Sequence, residues 1–189
     1  MSSRFGTVRK DGDIHVLSYE RRLAYPVAAV WAAITGPDRL AEWLAAADQL
    51  ELRVGGAVSL RWLNVPDDVG AWEAEGVDLA GTDPAAVVHG TVTRLDPPRM
   101  VEYQTDAMGL LRFELQSDGD ATLLVFTNEI VLPEAFPAEQ TLAGWHSHLD
   151  TLERALAGEP ADWSGWTENH LEDWKRLRDC YAAMSKERA

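Results

Sequence analysis

Apolar residues change their spacing along this chain, and each change marks an element. Ile14, Val16, Leu17, Tyr19, Leu23 and Tyr25 predict a long strand over 14–25. Pro26 stands where a helix's first turn accepts proline. Val27, Val30, Trp31 and Ile34 then form a helical stripe that Gly36-Pro37-Asp38 breaks. Leu40, Trp43 and Leu44 predict a second short helix. Strands are expected at about 48–54 and 57–65, split by the hairpin signal Gly55-Gly56. Four more are expected at about 87–95, 100–105, 110–117 and 121–131. Within the third of these, Leu111, Phe113 and Leu115 alternate with Arg112, Glu114 and Gln116, which gives one apolar and one wet face.

Helical spacing then returns. Leu142, Trp145, Leu149, Leu152 and Leu156 recur at three- and four-residue steps and share one face of a helix that ends near Gly158-Glu159-Pro160. Past Asp162-Trp163-Ser164-Gly165-Trp166, a last helix is expected over about 168–184. Its stripe of Leu171, Trp174, Leu177, Tyr181 and Met184 should dock on the body. Two stretches fall outside the pattern. Residues 1–12 read as a polar lead-in with little structure. The stretch 66–86 carries Asp67, Asp68, Glu73, Glu75, Asp78 and Asp83 with no basic residue, and reads as a long acidic loop.

Composition narrows the setting. A chain of 189 residues is about one domain, and 46% hydrophobic with 25% charged residues is ordinary for a globular protein. The net charge of −14 repels nucleic-acid phosphates and anionic lipid, so neither is an expected partner. No apolar run approaches the ~20 residues that span a bilayer, and the N-terminus lacks the apolar core of a signal peptide, so membrane insertion is not expected. Cys180 is the single cysteine, which excludes an internal disulfide and fits a reducing cytoplasm.

The candidate chemistry begins at His146-Ser147-His148. His146 and Asp150 are four apart on one helix side, so His146 can act as a base whose tautomer Asp150 fixes. The plainer alternative is a polar residue at the stripe's edge, bonded to its i+4 carboxylate. His148 lies about 200° around the helix from His146, so the two cannot converge on one ion, and no metal or other cofactor is expected. Tryptophans 31, 43, 62, 72 and 145 offer aromatic pocket walls or ordinary core packing. Core packing suits Trp31 and Trp145, while Trp62 and Trp72, beside the acidic loop, suit a cavity mouth. Tyr103 and Phe113 sit on strands whose apolar faces would line a concave side, and the Tyr103 hydroxyl would orient a ligand. His89 and Arg61 read as surface residues, and Cys180 as structural. Phosphate-binding loops, the Gly-x-Ser-x-Gly elbow and Cys-x-x-Cys pairs are absent.

The order of elements, with Pro26-x-x-x-Val30-Trp31, Pro37-Asp38-Arg39-Leu40-x-x-Trp43, Gly55-Gly56, Leu95-Asp96-Pro97-Pro98-Arg99 and Gly144-Trp145, resembles the START-like (SRPBCC) superfamily. Within it the chain looks most similar to the AHSA1-like branch, named after the activator of the Hsp90 ATPase. The resemblance spans roughly 14–157. It implies an α+β helix-grip fold, in which a curved antiparallel sheet wraps a long C-terminal helix and leaves a cavity between them. Residues 1–13 would precede that domain, and 158–189 would add a linker and an extra helix packed on it. A small apolar or amphiphilic molecule is then the expected ligand, held by Trp43, Trp62, Trp72, Tyr103, Phe113, Trp145, His146 and Leu149. The alternatives are a cyclase- or hydrolase-type enzyme using His146 and Asp150, and a protein-interaction module with a homodimer or another protein as partner.

Overall fold

Alternation along the strands becomes an eight-stranded sheet. In β2 (Ile14–Leu23), Leu17, Tyr19 and Leu23 are buried on one side, while Glu20 and Arg22 between them are exposed. The same rule runs through β8 (Ala121–Val131), where Leu124, Phe126 and Asn128 are buried, and through β7 (Leu110–Asp118), where Leu111, Phe113 and Leu115 are. The computed structural model describes residues 4–63, 87–133, 136–164 and 166–188. Within them the sheet also contains β1 (Thr7–Asp11), β3 (Ala45–Leu50), β4 (Ala57–Trp62), β5 (Val87–Asp96) and β6 (Met100–Thr105).

Every neighbouring pair is antiparallel, in the order β1-β2-β8-β7-β6-β5-β4-β3. The sheet curves without closing. Register shifts between Ala47 and Gln49 and between Val92 and Arg94 are the bulges at which strands bend.

Among the described residues, four helices accompany the sheet. α1 (Val27–Thr35) is rich in alanine and follows the extended Pro26; Gly36 ends it and Pro37 begins the single turn α2 (Pro37–Leu40). Trp43 and Leu44, expected on a helix, instead lie in the turn that follows and are fully buried. α3 (Ala138–Leu156) lays Leu142, Trp145, Leu149 and Leu152 into the core, with Glu139 in its first turn and Arg154 in its last, the signs that favour its dipole. α4 (Trp166–Arg188) packs along α3 through Trp174 and Tyr181, as its stripe predicts. The α+β helix-grip architecture is therefore present.

Two further expectations change. Residues Thr7–Asp11 are not an unstructured lead-in but an edge strand, zipped to β2 across the Gly12 turn. Its side chains are mostly exposed, so it lacks the apolar alternation that betrays a strand. β3 begins at Ala45, earlier than expected, because Ala45–Ala47 carry no β-branched signal. The acidic stretch 66–86, Trp72 included, lies outside the described residues.

Candidate functional site

α3 crosses the concave face of the sheet, and the residues beneath it form an aromatic floor. Phe113 of β7 and Phe126 of β8 stack at 4.7 Å, and Trp145 of α3 lies 4.6 Å from Phe126. Trp43 meets Phe113 edge-on at 6.2 Å, and Tyr103 meets it at 6.4 Å. Leu149 is buried with them. The polar tips of these rings are spent inside the protein. Trp43 Nε1 donates to the Ala33 carbonyl at 2.9 Å, the Tyr103 hydroxyl to the Ile34 carbonyl at 3.2 Å, and Trp145 Nε1 to Asn128 Oδ1 at 2.9 Å. Burial accordingly pushes the Tyr103 hydroxyl far above its ordinary pKa. Five of the eight expected ligand residues thus form one contiguous floor.

On one flank of α3 the floor rises into an aromatic corner. His148 shares a helix side with Trp145 and donates from Nδ1 to the Trp43 carbonyl at 3.0 Å, since a carbonyl can only accept. Its ring lies 5.6 Å from Trp62, 5.9 Å from Trp145 and 6.4 Å from Trp163. Trp163, in the linker before α4, is pinned by its Nε1 to the Ala41 carbonyl at 2.7 Å. Trp62 ends β4, opposite Ala45, and like Trp163 is only half-buried. Burial pushes His148 down to about 4, against the pull of the Trp43 carbonyl, so the ring is neutral at pH 7. Sequence reasoning set His148 aside. Its three-residue spacing from Trp145 was the signal that it belonged beside the tryptophans.

The opposite flank is polar. His146 is 4% exposed, and its Nδ1 lies 2.8 Å from the Tyr181 hydroxyl of α4. Gly6 N–H donates to that same oxygen at 2.9 Å, and the hydroxyl also meets Tyr19. Nε2 of the ring faces Asp150 Oδ2 at a long 3.5 Å. Burial lowers the His146 pKa first; Asp150 opposes that, and Arg21 and Arg4 reinforce it. The i+4 carboxylate is where the sequence placed it, but the close partner is Tyr181, which no local spacing reveals. The two histidines do face away from each other.

Beside Tyr181 a cleft of about 240 Å³ opens between Gly6, Thr7 and Val8 on one side and Tyr181 and Met184 of α4 on the other, with Leu142 at its base. His89 and Arg61 point outward, toward Ser59 and Asp48 respectively, and Cys180 is exposed. Among the described residues, no helix is long and apolar enough to cross a membrane.

The family model of Activator of Hsp90 ATPase homolog 1-like protein matches residues 24–157. No protein of curated function matches the sequence. Among solved structures, CalU16 of Micromonospora echinospora in solution superimposes with a TM-score of 0.65 at 20% identity, covering 100% of this chain and 97% of its own. A conserved protein of unknown function from Enterococcus faecalis gives 0.61 at 20% identity over 91% of each chain. A Bordetella parapertussis protein gives 0.60 at 27% identity over 93% of each.

Proposed function

Because this chain belongs to the Activator of Hsp90 ATPase homolog 1-like family, whose fold suggests a ligand-binding or chaperone-like module, we propose that it binds a small apolar or amphiphilic molecule between the sheet and α3. The observation that carries this reading is the aromatic corner. Trp62 and Trp163, both half-buried, flank the buried His148 over a floor of Trp43, Tyr103, Phe113, Trp145 and Leu149. Flat apolar faces beside one fixed imidazole suit a planar or hydrocarbon ligand, whose buried area supplies the affinity at ~25 cal/mol per Å² before the costs of association. The Tyr103 hydroxyl already serves Ile34, so it anchors the floor rather than the ligand. A cytoplasmic home fits the single cysteine.

A catalytic reading built on His146 and Asp150 is less favoured. Both ring nitrogens of His146 already face protein groups, Tyr181 on one side and Asp150 on the other. A base would need one of them turned to substrate. The interaction-module reading, with a second copy or a chaperone as partner, rests on the family's name alone.

Calorimetric titration with the uncharged 2-naphthol tests the binding reading. The wild-type protein is expected to bind it, and Trp62→Ala to weaken binding at least tenfold while the fold survives. Absence of binding, or equal affinity in the variant, overturns it.

A further inference from the structure

Arg21 is a charged residue where the strand pattern calls for an apolar one. It points to the α3 side of β2, between Tyr19 and Leu23, and is 3% exposed. Nη1 donates to the Glu20 carbonyl at 3.3 Å. Among the described residues Nε and Nη2 have no hydrogen-bond partner. Asp150 Oδ1 lies 3.7 Å from Nη2, beyond hydrogen-bond reach, while Arg4 Nη2 lies 2.9 Å from that same oxygen and 2.8 Å from Glu153 Oε2. The two orphan nitrogens form the side-on edge of the guanidinium, the edge that takes a carboxylate through two parallel bonds. A buried cation with that edge unfilled is costly to keep.

The surroundings fit an incoming acid. The Tyr19 ring lies under the guanidinium at 5.6 Å, and the Tyr19 hydroxyl donates to the Leu142 carbonyl at 2.6 Å. Tyr181, which interacts with both Arg21 and Tyr19, also lines the cleft of about 240 Å³ together with Val8, Leu142 and Met184. That volume falls just below the ~300 Å³ at which small-molecule pockets usually start, so it suits a short chain. What covers the cluster is the segment Arg4–Gly6. Phe5 lies edge-on to His146 at 5.2 Å and to Tyr181 at 5.3 Å, and Gly6 gives one hydrogen bond. The Arg4 ion pairs are solvent-exposed and therefore weak. Gly6 passes so close to Tyr19 that a Cβ there would meet the ring at 2.3 Å.

We infer that this flank is a second binding site, for a small organic acid: its carboxylate sits on the Nε–Nη2 edge of Arg21, its short apolar tail lies in the cleft, and Arg4–Gly6 lifts to admit it. This site is separate from the aromatic corner and stands or falls without it.

Octanoate, octanol and acetate separate head from tail. At pH 7 the wild-type protein should bind octanoate at least tenfold tighter than octanol, with acetate weakest. Arg21→Met should abolish that preference and keep octanol binding; Asp150, partly exposed, keeps Arg4 as its partner. Trp62→Ala should leave octanoate binding unchanged. Gly6→Ala should speed octanoate association. In ¹⁵N NMR of the wild-type protein, which needs no variant to fold, octanoate should shift the Arg21 Nε–H resonance. Equal affinity for octanoate and octanol, an unmoved Arg21 resonance, or loss of octanoate binding in Trp62→Ala overturns the site.

Discussion

His146 and His148 lie two residues apart on one helix, both almost wholly buried and both held below their ordinary pKa by that burial, yet their flanks differ in kind. His148 makes a bond to the Trp43 carbonyl and stands among three tryptophan rings. His146 stands among Tyr181, Phe5, a carboxylate and two arginines, one of them buried with open donors. The helix imposes the geometry, since the ~200° between the two positions sends them to opposite sides. What each flank can bind follows from what its neighbours leave unsatisfied. The aromatic flank offers surface, and the polar flank offers charge.

The comparison breaks most visibly at Trp145, which belongs to the aromatic flank. Trp145→Ala removes a buried ring packed against Phe126 and strands Asn128 Oδ1. Chemical denaturation should show a loss of ~3–5 kcal/mol. A smaller loss would mean that the floor is looser than its distances indicate.

Acid sharpens the contrast next. A histidine whose pKa is lowered in the folded state keeps its full stability above the unfolded value near 6.5. It loses stability as pH falls from there toward the folded value, about 4 for His148. Each pH unit in that window costs ~1.4 kcal/mol per histidine. Denaturation midpoints at pH 7, 6 and 5 should fall steadily, and His148→Gln should flatten the slope. A flat wild-type profile would mean that both rings protonate inside the fold.

The smallest of these effects lies on the polar flank. Tyr181→Phe deletes the hydroxyl that Gly6 N–H and His146 Nδ1 share and leaves both without that partner. A loss of ~1–3 kcal/mol is expected. An unchanged stability would show that water replaces the hydroxyl at no cost.

How much of this was legible follows the same divide. The stripe Leu142-Trp145-Leu149-Leu152 and the alternation Leu111-Phe113-Leu115 are local, so they announce α3 and β7 directly. The aromatic floor follows once those elements face each other. The polar flank depends on non-local pairings: Tyr181 reaches His146 across 35 residues and Gly6 across 175. Arg21 hides for another reason, because an arginine within a strand reads as solvated. β1 hides because Thr7–Asp11 is polar along its length and becomes a strand only by pairing with β2. Periodicity finds elements, but long-range polar contacts leave no periodic mark.

The claim that an apolar ligand sits on the aromatic flank is tested most directly by ¹⁵N NMR of the indole Nε1–H groups during 2-naphthol titration. Trp62 and Trp163 should shift most and saturate together, with Trp174 on α4 unmoved. Shifts confined to Trp174, or none at any indole, would contradict the account.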